Sequence, residues 1–290
     1  MTWRETIAKA VPFLDAKGVP DAVVAAESLV GRLMKVSRGG LFSVLDREAE
    51  APRLEAMRRG MKRLVAGEPL QYVLGEWDFR SLTLACDRRA LIPRPETEEL
   101  VSKVLAYLKT RFPGGGGGTP PLVVDVGTGT GAIILALAKE FPGRAVFLGT
   151  DVSEDAVALA QANARRTGLA EKVRFAVADG LDDFDEPESI DVIVSNPPYI
   201  ESSVLASLDP RVRDHEPRLA LDGGESGLEF YERYLADALN LLKPGGAVFF
   251  EIGENQGEAL RSLMTECGFT EIGIEKDLAG RDRYASARLA

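Results

Sequence analysis

The second half of the chain alternates short apolar runs with segments of helical period, and nothing else in the sequence constrains the fold as much. Residues 122–126 form an apolar run too short for a helix. Helical spacing follows at 132–140, and the pattern then repeats. Strands are predicted at 145–150, 173–177, 190–195 and 247–252, and helices at 155–166, 228–242 and 258–267. Two short alternating segments follow near 270–275 and 283–289. Strands separated by helices pack as a largely parallel sheet covered on both faces. The expected fold class is therefore α/β, a Rossmann-like sheet over residues 121–290.

Residues 1–75 read as a small helical domain. Apolar residues recur at helical spacing in Ile7, Val11 and Leu14, then in Val23, Val24, Leu29, Val30, Leu33 and Met34. A third helix is expected over 48–66, with Leu54, Met57, Met61, Leu64 and Val65 on its inner face. Its other face carries Arg53, Arg58, Arg59, Lys62 and Arg63. A solvated face explains such a charge run, and the competing reading is a docking surface for an acidic partner or for RNA attached to one. Gly67 and Pro69 end that helix. Trp77, Phe79, Leu82 and Leu84 alternate around Arg80-Ser81, as in a β-hairpin. Residues 96–112 return to helical spacing, and 113–121, with five consecutive glycines, is expected to be a flexible surface loop. The expected division is a helical domain at 1–75, a connector at 76–120 and an α/β domain at 121–290.

Composition narrows the functions available. With 290 residues, 45% of them hydrophobic, the chain can bury a core domain plus a smaller partner. Net charge is −10, which weighs against a nucleic acid as direct partner, because such binding neutralises phosphates with Lys and Arg. No apolar stretch reaches membrane-helix length, and the first residues carry no apolar signal core, so a cytoplasmic location without membrane attachment is expected. Cys86 and Cys267 form no metal-binding pair, and a single His215 leaves no zinc constellation, so no metal is expected. His215 itself lies in a polar loop and reads as solvated rather than as a base.

The turn after the first α/β strand reads Asp125-Val126-Gly127-Thr128-Gly129-Thr130-Gly131 and runs into a helix. Glycines there permit a tight turn and close approach of a ligand to the backbone. The spacing is Gly-x-Gly-x-Gly, whereas a pyrophosphate-seating fingerprint is Gly-x-Gly-x-x-Gly. S-adenosylmethionine carries a sulfonium, an amino group and a carboxylate but no phosphate, and it suits this turn. Asp125 is expected on the ammonium side, directly or through water. The second strand ends at Asp151-Val152, where a carboxylate can accept both hydroxyls of a ribose. The third ends at Asp179-Gly180, where Asp can bond an adenine amino group. Asp also favours caps and turns. Three placed at successive strand ends beside a glycine turn point to a cofactor.

The fourth strand ends in Ser195-Asn196-Pro197-Pro198-Tyr199. Two prolines fix the backbone and remove two N–H donors. The Asn196 side-chain oxygen and the Pro197 carbonyl remain as acceptors for the two hydrogens of one NH2 group, and Tyr199 offers a flat face for stacking. Two such acceptors would align a planar nitrogen with a sulfonium methyl and favour charge developing on it. The expected catalytic residues are thus Asn196, Pro197 and Tyr199.

These residues together resemble the amino-methyltransferase branch of the class I methyltransferases. Leu91-Ile92-Pro93-Arg94-Pro95-Glu96-Thr97-Glu98, the pair Glu216-Pro217, Ala220-Leu221-Asp222-Gly223-Gly224 and Gly227-Leu228 are similar to segments of the PrmC/HemK family. So is a helical N-terminal domain joined through Gln71-Tyr72-Val73-Leu74-Gly75, and the likeness spans nearly the whole chain. The resemblance implies methyl transfer from S-adenosyl-L-methionine, leaving S-adenosyl-L-homocysteine, to N5 of the glutamine in the Gly-Gly-Gln motif of peptide chain release factors. It implies that Gly127 to Gly131, Asp151 and Asn196 contact the cofactor, that Asn196, Pro197, Pro198 and Tyr199 hold the substrate glutamine, and that the helical domain docks the substrate. Residue 180, often aromatic in that family, is glycine here. Two alternatives share the chemistry: glutamine methylation of a ribosomal protein, and adenine-N6 methylation of a nucleic acid, which would bring a basic recognition region. A non-catalytic adaptor would not require the acidic and glycine positions.

Overall fold

A computed structural model of the chain describes residues 1–113 and 118–290. The pentaglycine loop expected at 113–121 lies in part, at 114–117, outside the described residues. By its packing the chain forms two compact units, Met1–Glu76 with Asp209–His215, and Trp77–Leu208 with Glu216–Ala290.

In the first unit, Thr2 and Glu5 form a reciprocal capping box that starts helix α1 (Trp3–Ala16). Helix α2 (Ala22–Met34) and helix α3 (Ala51–Val65) complete a core around Trp3, Leu14, Ala26, Val30 and Met57. Gly60 lets α3 approach α2, since a Cβ there would stand 2.7 Å from a Leu29 methyl. The α3 cations are partly neutralised: Arg58 meets Glu55 at 3.4 Å, and Arg63 meets Glu68 at 2.6 Å. Arg63 also donates to the carbonyls of Tyr72 and Val73. A short helix α4 (Leu70–Leu74), not expected as a separate helix within the 1–75 domain, follows Pro69. Five residues are too few for a visible hydrophobic period.

The expected hairpin, β1 (Glu76–Phe79) and β2 (Leu82–Ala85), spans the start of the second unit at Trp77 and turns through Arg80 at φ 52°. Helix α5 (Pro95–Arg111) buries Thr97, Leu100, Val101, Val104, Leu105 and Leu108 on one stripe. Then come β3 (Leu122–Val126), α6 (Ala132–Glu140), β4 (Val146–Asp151), α7 (Glu154–Arg166), β5 (Val173–Val177) and β6 (Ile190–Ser195). The short α8 (Pro210–Arg213) lies in the stretch that joins the first unit. Helix α9 (Glu229–Leu241), β7 (Leu242–Glu251), α10 (Gly257–Glu266), β8 (Thr270–Lys276) and β9 (Asp282–Arg288) complete the chain.

The sheet order is β5-β4-β3-β6-β7-β9-β8. The first five strands are parallel, and β9 runs antiparallel to both β7 and β8. This is the Rossmann-like sheet that the strand–helix alternation implies. Core clusters lie on its two faces, one containing Val123, Ile134 and Leu100, the other Val124, Tyr231 and Phe250. From β3 the chain steps outward to β4 and β5, then returns to the opposite side of β3 as β6. The carboxyl ends of β3 and β6 therefore flank the topological switch point, where open sheets of this kind bind ligands.

Candidate active site

The crevice at that switch point is a cleft of ≈ 1040 Å³, its open mouth included, lined entirely by the second unit. Such a volume suits a cofactor-sized ligand. Its floor is the glycine turn after β3. Gly127, Gly129 and Gly131 all adopt left-handed φ angles of 72°, 55° and 80°. At Gly127 a Cβ would project into open space, so the strained backbone, rather than crowding, calls for glycine there. The Thr128 amide donates to the Thr150 carbonyl at 2.8 Å, and the Gly129 amide to Asp151 Oδ2 at 2.9 Å. The turn is thereby tied to the end of β4. Buried Asn163 of α7 holds it from behind, donating to the Thr130 and Ala85 carbonyls and accepting the Ala85 amide.

Asp151 lines the cleft. Its Oδ1 accepts the Ser153 amide at 3.0 Å, so each carboxylate oxygen holds one backbone donor and keeps a lone pair for a ligand. Burial raises its pKa, opposed by those two amides. Val152 and Gly180 also line the cleft, as does Asp179, which accepts from Arg233 Nη1 at 2.7 Å. Arg233 Nη2 donates to the Asp179 carbonyl and pairs with Asp182 at 2.9 Å. A Cβ on Gly180 would stand 3.0 Å from the Tyr234 ring, so Tyr234 fills that space.

Asp125 is placed elsewhere. It shares its strand face with Val123, whose side chain packs with α6, and it is fully buried. Thr128 Oγ1 donates to its Oδ2 at 2.6 Å. Burial pushes the Asp125 carboxyl up to about 7, with the Thr128 bond acting the other way. It fastens the glycine turn from below and does not line the cleft; Gly131 does not line it either.

Ser195 Oγ donates to the Val126 carbonyl at 2.6 Å and locks the ends of β3 and β6 together. Asn196 and Pro198 then face the cleft. Pro197 is buried outside its lining, and the Tyr199 ring packs against the core cluster containing Tyr231 and Phe250. Burial pushes the Tyr199 hydroxyl up to about 12. The ring is partly buried there. Gly223 and Gly227 press on the loop: a Cβ on Gly227 would lie 2.5 Å from the Tyr199 carbonyl oxygen, and one on Gly223 2.8 Å from Tyr199 backbone atoms. Gln256 Nε2 donates to the Tyr199 carbonyl at 3.2 Å.

Other residues also line the cleft, some of them in the segments that resemble the PrmC/HemK family but that were given no site role. Leu91, Ile92, Pro93 and Arg94 form one wall, with Thr97 beyond them, and Pro217, Leu219 and Ala220 another. Phe230 and Tyr234 of α9 contribute an aromatic side, their ring centroids 6.0 Å apart. Their spacing of four residues on one helix face was the available clue. His215 does not line the cleft.

Residues 122–279 match the family described as "Methyltransferase domain", and residues 5–75 match "PrmC N-terminal domain". A methyltransferase from Pyrococcus furiosus superposes with a TM-score of 0.51 at 20% identity, covering 82% of this chain and 98% of that one. The hMettl16 catalytic domain superposes at 0.55 and 17% identity, covering 83% and 82%. These two likenesses carry the fold, that of the class I methyltransferases. The release factor glutamine methyltransferase of Moorella thermoacetica is 39% identical over 284 residues, 98% of this chain and 97% of that protein. That of Geobacter sulfurreducens is 37% identical, covering 96% and 93%. With both sequence domains matched and likeness over nearly its full length, the chain belongs to the release factor glutamine methyltransferase family.

Proposed function

We propose that this protein transfers a methyl group from S-adenosyl-L-methionine to the side-chain amide nitrogen, N5, of the glutamine in the Gly-Gly-Gln motif of peptide chain release factors. The observation that carries the reading is Asn196, held at the carboxyl end of β6 and facing the same cleft as Asp151 and the glycine turn.

The donor set fits this cofactor. Asp151 retains acceptor capacity on both oxygens for a ribose diol, Gly127 to Thr130 offer close backbone, and Asp179 and Gly180 with Phe230 and Tyr234 border a place for a base. When bound, S-adenosylmethionine supplies an electrophilic methyl on a sulfonium. The chain's own part is positioning. Asn196 Oδ1 and the Pro197 carbonyl accept the two hydrogens of the substrate NH2, orient its nitrogen and favour positive charge growing there. The nitrogen then sheds its proton to water, without a dedicated side-chain base. Pro198 shapes the wall beside it, and Tyr199 acts as the buried anchor that keeps these acceptors in place.

Residues 1–75 serve as docking domain, 76–120 as connector and 121–290 as catalytic domain in this reading. Among the described residues no helix is long and apolar enough to cross a membrane. The reading places the protein in the cytoplasm, with a protein rather than a nucleic acid as substrate, in keeping with the net charge of −10.

The test is incubation with labelled S-adenosylmethionine and a purified release factor. Label is expected on the Gly-Gly-Gln glutamine. Asn196→Ala should abolish transfer and weaken cofactor binding only mildly. Transfer to adenine in DNA, or undiminished transfer by Asn196→Ala, would refute the proposal.

A further inference from the structure

Behind Asn196 lies a buried polar chain that the methyl-transfer chemistry above does not use. Asn196 Nδ2 donates to Thr97 Oγ1 at 3.2 Å, and Thr97 Oγ1 donates to Glu251 Oε2 at 2.6 Å. Thr97 is 4% exposed and Glu251 2%. Three elements bring them together. Thr97 is the first residue of the buried stripe on α5. Glu251 ends β7, one step beyond the Ser195–Phe250 pairing, and so stands beside Asn196 at the end of β6.

The direction of the chain follows from proton counting. A hydroxyl has one proton, and Thr97 gives it to a carboxylate, which has none to return. Thr97 can then only accept from Asn196, and only the NH2 end of that amide can donate. The Asn196 oxygen is left as the end available to the cleft.

We propose that Thr97 and Glu251 are positioning residues for methyl transfer: the ionised Glu251 carboxylate, acting through the Thr97 hydroxyl, fixes the Asn196 amide with its oxygen toward the substrate NH2. The inference rests on the reading that Asn196 accepts from that NH2. Protonation of Glu251 would reverse the chain. Its hydroxyl would donate to Thr97, Thr97 would donate to Asn196 Oδ1, and the Asn196 NH2 would turn toward a substrate group that is itself a donor.

The surroundings put this switch near neutrality. Burial pushes the Glu251 carboxyl up to about 7; Glu96 acts in the same direction, while the Thr97 bond and the charges of Arg283 and Arg94 oppose it. Tyr199, Tyr231 and Tyr284 also face it, and burial raises each of their hydroxyls, so they stay neutral over the relevant range.

The experiment measures kcat for methyl transfer to a release factor against pH, with cofactor affinity determined separately. For the wild type, kcat should rise through pH about 7. Thr97→Val removes the relay at nearly constant volume and should lower kcat by about tenfold or more, with cofactor affinity within about twofold. Thr97→Ser restores the hydroxyl and should recover most of that loss. Glu251→Gln still accepts the Thr97 proton through its amide oxygen but cannot titrate. It should keep turnover in alkaline buffer and lose the acid limb. Wild-type kcat in Thr97→Val, or an unchanged acid limb in Glu251→Gln, overturns the inference. Should Thr97→Val fail to fold, the Glu251→Gln profile decides alone. An active wild type with an inactive Asn196→Ala shows that the parent reading stands even where the relay fails.

Discussion

Arg94 donates to Glu216 at 2.6 Å, joining two segments 122 residues apart. The Glu216 side chain is only 1% exposed and also accepts the Ile92 amide at 3.2 Å. One carboxylate therefore fastens both walls of the cleft, Leu91 to Arg94 and Pro217 to Ala220. Glu216→Ala leaves the Ile92 amide and Arg94 without that partner and loosens both walls. Cofactor affinity should fall by about tenfold, read by calorimetric titration. Arg94→Ala leaves the carboxylate buried without its cation and should cost on the order of 2 kcal/mol of stability, discounted because Arg94 is partly exposed. Wild-type cofactor affinity in Glu216→Ala would show the walls to be held by other means.

Asp151 is predicted to act as a carboxylate and not merely as a polar cap. Each of its oxygens faces a backbone N–H, from Gly129 and Ser153. In Asp151→Asn the new NH2 must point at one of those donors or turn into the cleft. Cofactor binding should weaken by about tenfold or more, with little change in fold by circular dichroism. Equal affinity in the two proteins would argue against a ribose contact there.

Gly227 has φ 71° and no room for a side chain against the Tyr199 carbonyl. Gly227→Ala adds backbone strain and pushes directly on the loop carrying Asn196. It should lower kcat by about tenfold, out of proportion to a stability loss on the order of 1–2 kcal/mol. Thermal unfolding and steady-state kinetics on the same preparation separate the two effects.

Stability should fall as pH rises toward neutrality through the two buried carboxyls. Asp125 is shifted from 3.8 to about 7, and Glu251 from 4.5 to about 7. A carboxyl whose pKa is higher folded than unfolded binds more protons in the folded state across that window. Its contribution is fully present below the unfolded value and is lost as pH rises through about 7. Asp125→Asn can keep an acceptor for Thr128 but does not ionise. It should flatten the decline by on the order of 2 kcal/mol, seen as a smaller difference in denaturation midpoint between mildly acidic and alkaline buffer. A slope equal to wild type would show that Asp125 does not titrate in that range.

The sheet was legible because its strands are apolar runs punctuated by glycine, proline and aspartate. The expected ranges of β3, α6, β5 and β6 coincide with those observed. β7 begins at Leu242, five residues before the apolar run, because Lys243-Pro244-Gly245-Gly246 reads as a turn yet stays in the strand with a shifted register. Side-chain direction was harder to read. In a strand buried on both faces, an apolar run does not say which face a residue takes. Asp125 was therefore expected beside the cofactor, directly or through water, and lies buried beneath the cleft, while Tyr199, expected to offer a flat face, packs against the core cluster. Thr97 and Glu251, 154 residues apart, fall in the expected helix 96–112 and the expected strand 247–252, with nothing in the sequence to link them. Only the register of β6 with β7 and the stripe on α5 make them neighbours of Asn196.

The placement of β9 has a consequence for how the molecule is made. This strand, which follows both in chain order, lies between β7 and β8 and pairs with both along most of its length. Until β9 is in place, β7 has no neighbour on that side and β8 no partner among the described strands. The nascent chain then carries two open strand edges, each able to recruit the wrong partner. Closure of the sheet, and with it the setting of Glu251 at the end of β7, therefore waits on β9.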